Sequence, residues 1–334
     1  MNRDILTLSE ERNITIRWLI GETSDFPMRG VGYDLLEMSI KFAKLIFPYA
    51  QTIIHISDLP LGLSRIKRIS SQTDTPYAFI RDIQTTPPSI SYVRFGHGFW
   101  KYVPLRLNRG GFDLIIENDL MLWRLPSKLM QWLYDGGMLC YGVDTGGTQN
   151  TSSKGDTAQI GKITDEYLQQ RRRYGLYQNR IDKINDRVFI NPGIVGFGFN
   201  CSSLPYDLKD IGMVTSPDDE AGWLTLNYLN YRGRKHLMAT SSIAYIDNAN
   251  FNTHELIERY DGAHFLKHNS GQYHFYQDRY SKIIDELYEY YHYLSIRPAS
   301  SDQQDITGEV MIDEVMTDDI QTESIEILDN FDNG

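Results

Sequence analysis

The stretch FDLIIENDLMLWRLP, at residues 112–126, decides the fold expected for this chain. Phe112 to Ile116 is a continuous apolar run, which is typical of a strand buried in a sheet. It leads directly into Glu117-Asn118-Asp119, and two acids at the end of a buried strand are costly unless a positive group satisfies them. Because ligands of open α/β sheets bind at the carboxyl ends of strands, this pair suits a hard divalent cation, Mg²⁺ or Mn²⁺. The alternative is an ordinary strand-end turn with solvated acids.

The chain before this stretch alternates between strand and helix patterns. Ile14 to Ile20 and Gln51 to Ile56 are predicted strands. Between them, Tyr33 to Phe47 carries apolar residues at helical spacing and ends before Pro48. A third strand is predicted for Tyr77 to Ile83 and a helix for Gly98 to Leu107. This β-α-β order predicts an α/β fold, with a mostly parallel mixed sheet flanked by helices.

The chain after this stretch continues in the same way. The predicted elements are a short helix at Pro126 to Tyr134, strands at Met138 to Val143 and Val188 to Asn200, a helix opened by Ser216-Pro217 and running to Asn230, and a final helix at Tyr280 to Leu294. Residues 144–161 between two of these strands are polar and glycine-rich, which is typical of a binding loop or lid.

Charge divides the chain into a body and a tail. Residues 301–334 hold eleven acids and no Lys or Arg, whereas the rest of the 334 residues balances its acidic and basic side chains. We therefore expect one domain at 1–300 and a disordered acidic tail at 301–334 that could dock on a protein partner. Without a basic surplus, nucleic acid is not an expected partner. The sequence has no apolar run long enough to span a membrane and no signal-peptide pattern, which predicts a cytoplasmic protein.

Five segments, in the same order along the chain, resemble the GT-A-fold glycosyltransferases, in particular the glycogenin-like family 8 group. FDLIIENDLMLWRLP looks like the strand and D-x-D motif of these enzymes, with Glu117 in place of the first aspartate. The other four segments are FWKYVPLRL at 99–107, INPGIVGFGFN at 190–200, PDDEAGWLTLNYL at 217–229 and DGAHFLKHNSGQYHF at 261–275. The resemblance implies a single GT-A-type domain that transfers a hexose-like sugar from a nucleotide-sugar donor to a hydroxyl acceptor, with retention of configuration.

The resemblance also implies roles for individual residues. Those assigned to Mn²⁺ or Mg²⁺ are Glu117, Asp119 and His264. Those assigned to the donor are Lys101, Glu117, Asn118 and Gly193. Those assigned to the acceptor or the reacting sugar are Asp219 and Glu220, the latter standing where the family has glutamine.

Structural roles stay open for several of these residues. A lone histidine is more often a hydrogen-bonded structural residue than a ligand, and acids such as Asp219 in the first turn of a helix complement its dipole. Two other functions also stay open. One is a non-catalytic binding or scaffold protein on a degenerate glycosyltransferase fold. The other is a nucleotidyltransferase, which uses the same combination of carboxylates and metal.

Overall fold

The computed structural model describes residues 13–20, 28, 30–56, 62–79, 102, 105–144, 188–206, 217–238, 242–246, 252–265 and 273–296. Their strands are β1 (Ile14–Ile20), β2 (Gln51–Ile56), β3 (Tyr77–Phe79), β4 (Phe112–Ile116), β5 (Leu120–Leu122), β6 (Met138–Asp144), β7 (Val188–Phe197), β8 (Lys235–Met238), β9 (Ile243–Ile246) and β10 (Gly262–Phe265). Their helices are α1 (Gly30–Ile46), α2 (Leu63–Thr73), α3 (Ser127–Asp135), α4 (Pro217–Asn230), α5 (Thr253–Arg259) and α6 (Tyr273–Ile296).

Seven strands form the main sheet, in the order β3-β2-β1-β4-β7-β6-β8. All of them point the same way except β7, which pairs antiparallel with both β4 and β6. The predicted fold class is therefore confirmed: an α/β fold whose mixed sheet is mostly parallel and lies among helices. Residues 301–334 lie outside the described residues.

The strand order changes direction beside β1. From β1 the chain moves outward to β2 and β3, then returns to place β4 on the other side of β1. A sheet with this order opens a crevice at the carboxyl ends of the two strands that flank the reversal, here β1 and β4. The acidic triplet that follows β4 therefore begins at the edge where such sheets bind ligands.

Helices cover both faces of the main sheet. On one face, Ile16 and Trp18 of β1 pack in one apolar cluster with Leu36 and Ile40 of α1. On the other face, Ile115 of β4 belongs to a cluster with Trp223, Leu224 and Leu226 of α4. Both sides of the central strands are thus dry, which explains why the sequence of β4 is apolar at nearly every position.

A second sheet of three strands, in the order β5-β10-β9, packs on the opposite side of α1. Val31, Leu35 and Phe42 of α1 join Ala263 of β10 and Tyr280 of α6 in a third cluster. One face of α1 packs on the main sheet and another face packs on the small sheet, so the helix is buried along almost its whole length. This helix fixes the small sheet beside the end of β4.

The helix predicted for Gly98 to Leu107 is wrong at its described end, because Leu105 to Leu107 are not helical. The reason is the buried carboxylate of Asp113 on β4. It accepts hydrogen bonds from the backbone nitrogens of Leu107 (3.0 Å) and Asn108 (3.1 Å to Oδ2), and it pairs with the guanidinium of Arg106 at 2.8 Å. These amide groups turn toward the acid instead of toward helix carbonyls.

Candidate metal centre

The turn after β4 presents two carboxylates. The backbone nitrogen of Glu117 donates to the carbonyl oxygen of Gly193 on β7 (2.9 Å), which continues the strand pairing for one more residue. The nitrogen of Leu120 then donates to the carbonyl oxygen of Glu117 (3.2 Å) and closes the turn from which β5 begins. Glu117 and Asp119 keep 27% and 13% of their side-chain surface exposed, so a ligand can reach both.

Strand β10 places His264 beside this turn. The strand pairs antiparallel with β5 and sets His264 opposite Leu120. The backbone nitrogen of Phe265 donates to the carbonyl oxygen of Asp119 at 2.8 Å, which extends this pairing to the acidic turn. As a result, His264 Nε2 lies 3.4 Å from Glu117 Oε2 and 3.4 Å from Asp119 Oδ1.

These three side chains carry the chemistry of a cation site. One ligating atom from each of Glu117, Asp119 and His264 lies within 4.8 Å of the other two. Adjacent ligands of a Mg²⁺ ion at about 2.1 Å would lie about 3 Å apart, so the observed 3.4 Å spacings need only small side-chain movements. Two carboxylate oxygens and one imidazole nitrogen fit a divalent cation such as Mn²⁺ or Mg²⁺.

Charge at this cluster controls the protonation of His264. Burial alone would lower its pKa, but the carboxylates of Asp119 and Glu117 outweigh burial and raise the pKa of His264 to about 9. Without a cation, the imidazole is therefore protonated at neutral pH and offsets part of the negative charge of the two acids. A cation can take the imidazole nitrogen only by displacing this proton.

A bulge in β7 supports the ring of His264. Along β6, the partner on β7 jumps from Val195 to Asn191 between one residue and the next, so the segment around Gly193 leaves the regular pairing. The side-chain oxygen of Asn191 accepts a hydrogen bond from Gly193 N at 2.8 Å and closes the bulge. A β-carbon at Gly193 would lie 3.1 Å from His264 Cε1 and 2.9 Å from a methyl of Leu120, so a larger residue here would force these neighbours to shift.

Helix α1 also fixes the turn. The indole nitrogen of Trp18 donates to Ser39 Oγ at 2.9 Å, and this hydroxyl donates in turn to the carbonyl oxygen of Leu120 at 2.6 Å. All three residues are buried. The relay ties β1, α1 and the start of β5 together directly beside Asp119.

The other residues predicted for the site lie in different surroundings. Asn118 lies between the two acids and donates its side-chain amide to the sulfur of Met28 at 3.4 Å. Glu220 is buried in the first turns of α4 and accepts a hydrogen bond from the hydroxyl of Tyr102 at 3.0 Å. Lys101 lies outside the described residues, as do residues 145–161 of the predicted loop. Asp219 lies in α4, but its side chain is outside the described part.

Sequence reasoning missed three residues that shape the site: Ser39, Tyr102 and Asn191. The signal for Asn191 was present, because asparagine before Pro-Gly is a common turn former whose side chain binds the backbone two residues on. Ser39 and Tyr102 gave no such signal, since each acts on a partner far away in the sequence.

Comparisons with known proteins give similarities of fold only. No family model matches the chain, and no curated protein matches its sequence. The galactosyltransferase LgtC, crystallised with donor and acceptor sugar analogues, is 12% identical, with a TM-score of 0.42 over 81% of this chain and 95% of LgtC. The bifunctional glycosyltransferase WbbM is 10% identical, with a TM-score of 0.44 over 84% of this chain and 52% of WbbM.

A third similar structure belongs to a different class of enzyme. The 4-diphosphocytidyl-2C-methyl-D-erythritol synthase of Anaerococcus prevotii is 11% identical, with a TM-score of 0.35 over 70% of this chain and 88% of that enzyme. Because the TM-scores are below 0.5, these similarities say nothing about function. Function has to be inferred from the side chains of the candidate site. Among the described helices, none is both long and apolar enough to cross a membrane.

Proposed function

We propose that this chain is a metal-dependent glycosyltransferase, which moves a sugar from a nucleoside diphosphate donor to a hydroxyl acceptor. The observation that carries the proposal is the convergence of Glu117, Asp119 and His264 within 4.8 Å at the carboxyl end of β4. This edge adjoins the reversal of strand order, where α/β sheets bind nucleotides and phosphates. A cation held there would lie where it could bind the diphosphate of a donor in the crevice.

The cation would be held by Glu117 and Asp119 through oxygen and by His264 through Nε2. Once bound, Mn²⁺ or Mg²⁺ would neutralise the negative charge that grows on the diphosphate as it leaves the sugar. Glu117 and Asp119 lie on one short turn held to β7 and β10, so their carboxylates are oriented before the cation arrives. Such preorganisation lowers the cost of binding.

The residues that flank the metal centre would bind the donor and the reacting sugar. Asn118 stands between the two acidic ligands, and the backbone of Gly193 lies against the ring of His264. We assign both residues to the donor. We assign Glu220 and Asp219, at the start of α4, to the reacting sugar or the acceptor, and Lys101 to the donor phosphates.

Metal-dependent nucleotide binding is the direct test. Titrations of the full chain with nucleoside diphosphates, with and without Mn²⁺, should give binding that requires the metal, followed by slow donor hydrolysis in a panel of nucleotide-sugars. Asp119→Asn should remove the metal-dependent part of the affinity, because it deletes one ligand charge and keeps the shape. Glu258→Gln is the matched control, since Glu258 is an exposed acid on α5.

The same titrations separate the competing functions. Metal-dependent affinity that survives in Asp119→Asn would overturn the site. A nucleotidyltransferase would respond to nucleoside triphosphates in preference to diphosphates and nucleotide-sugars. A scaffold protein on this fold would bind none of these nucleotides, with or without Mn²⁺.

A further inference from the structure

Tyr102 and Glu220 form a buried hydrogen-bonded pair, and Tyr102 packs in the same cluster as Ile115 of β4. The phenol hydroxyl of Tyr102 donates to Glu220 Oε1 at 3.0 Å. Tyr102 is fully buried, and Glu220 keeps only 3% of its surface exposed. A carboxylate in such a place needs donors, because a buried acceptor that loses one bears the cost of its desolvation.

The packing around this pair fixes the phenol in place. Glu220 and Trp223 are three residues apart on α4 and therefore lie on the same face of the helix. The ring of Tyr102 packs against the indole of Trp223, with centroids 5.1 Å apart. Tyr102 thus covers both residues of this helix face, and its hydroxyl has a defined direction.

The charges of Glu220 and Glu117 both act on the phenol of Tyr102. Burial raises the pKa of Tyr102 well above its ordinary value, and the charges of Glu220 and Glu117 raise it further. The phenol therefore keeps its proton and acts as a donor at any physiological pH. The packing agrees with this, because Tyr102 and Trp223 share a buried cluster with Ile115 of β4, two residues before Glu117.

We infer that Tyr102 is a positioning residue for Glu220, which holds this carboxylate in the orientation needed to act on the reacting sugar. The inference rests on the proposed function, in which Glu220 lies at the sugar. Helix α4 supplies the backbone position, and its N-terminal dipole favours an acid there, but neither fixes the side-chain torsions of a glutamate. The hydrogen bond from Tyr102 supplies that constraint.

A double-mutant cycle tests this role. The variants are Tyr102→Phe, Glu220→Gln and the double variant, assayed for kcat and KM of donor turnover with Mn²⁺. Phenylalanine keeps the ring on Trp223 and removes only the hydroxyl. We expect Tyr102→Phe to lower kcat about tenfold, the size expected for a hydrogen bond to a charged group, and to leave the donor KM within about twofold. In the Glu220→Gln background it should have almost no further effect, because the two residues act as one unit.

Tyr280→Phe is the matched control. Tyr280 is equally buried and donates its hydroxyl to the carbonyl oxygen of Ile246, but it belongs to the third cluster on α6. Both single tyrosine variants should lose a similar, small amount of thermal stability, and only Tyr102→Phe should lose kcat. If Glu220→Gln has no measurable turnover, Glu220→Asp takes its place in the cycle.

Each remaining outcome counts against the inference. An unchanged kcat in Tyr102→Phe overturns it, as does a change in KM alone. Independent, multiplicative losses in the double variant also overturn it, because the phenol would then act without Glu220. If the wild-type chain turns over no nucleotide-sugar, the proposed function fails, and this inference fails with it.

Discussion

His264 Nε2 lies 3.4 Å from Asp119 Oδ1, and the two residues are also joined through the main chain, where Phe265 N donates to the carbonyl oxygen of Asp119. A backbone hydrogen bond thus holds the two chain segments together, and the side-chain contact is more constrained than one between two exposed surface residues. In the absence of a cation, a proton on the imidazole holds the cluster together. A cation bound as proposed would compete with this proton for one nitrogen, and this competition leads to the first two predictions.

Stability without metal should fall at alkaline pH. The folded-state pKa of His264 is about 9, above its ordinary value of about 6.5, so the stabilisation is complete below pH 6.5 and is lost as pH rises through 9. We expect the free energy of unfolding in EDTA to drop on the order of 3 kcal/mol between these pH values. Chemical denaturation measures it, and His264→Gln should lack this component. An equal drop in that variant would contradict the assignment.

Metal affinity should change with pH in the opposite direction. Since the imidazole must lose its proton before it can bind, each cation should release close to one proton at pH 7. Mn²⁺ affinity should rise about tenfold per pH unit up to about pH 9 and then level off. Calorimetry in buffers of different ionisation enthalpy counts the protons. Affinity that is flat over this range would show that His264 does not bind the cation.

Gly193→Ala should displace the ring of His264 and weaken the candidate metal centre. The added β-carbon would meet Leu120, Asn191 and His264 at 2.9 to 3.1 Å, so the ring of His264 or the bulge must move. We expect a loss of about 1–3 kcal/mol in stability, as for other overpacked sites, and weaker Mn²⁺ binding. Gly110→Ala is the control, because nothing lies within 4 Å of its β-carbon position. Unchanged metal affinity in Gly193→Ala would mean that the bulge does not support His264.

Arg106→Met should strongly destabilise the fold. Arg106 pairs with the fully buried Asp113 at 2.8 Å and also donates to the carbonyl oxygens of Gly198, Cys201 and two further residues. Its loss leaves a buried carboxylate without its cation, which costs about 3–5 kcal/mol. Arg234→Met is the control, since the Arg234 side chain that pairs with Asp135 is mostly exposed and such a bridge contributes about 1 kcal/mol or less. Denaturant midpoints at one pH compare the two, and similar losses would contradict the prediction.

The sequence predicted the main sheet well where its strands are buried on both faces. Ile14–Ile20 and Phe112–Ile116 are short and rich in β-branched and aromatic residues, which favours buried strands, and the two acids after β4 stand out because they follow such a strand. Helix α2 was not predicted, although Leu63, Ile66 and Ile69 recur at helical spacing and pack against the core. The charged and polar residues between them concealed this short apolar stripe.

The candidate site depended more on resemblance than on pattern. Strands β5 and β10 have three and four residues, which is too short for an alternation to be detected, so no pattern in the chain indicated that His264 would meet Asp119. The Tyr102–Glu220 pair is equally hidden, because it joins Tyr102 to a helix more than a hundred positions later. Contacts of this kind are decided by packing, which a local pattern does not record.

The pairing of β5 with β10 has a consequence for the order of folding. Glu117 and Asp119 are synthesised early, but His264 reaches them only after β10 has docked on β5, late in the chain. This closure spans a long loop and is entropically expensive, so it belongs to the slow, non-local part of folding. A cation that requires all three residues would bind only the finished structure, and it would stabilise that structure in proportion to the logarithm of its concentration. Metal supply would then set how long the completed domain survives, in addition to how fast it works.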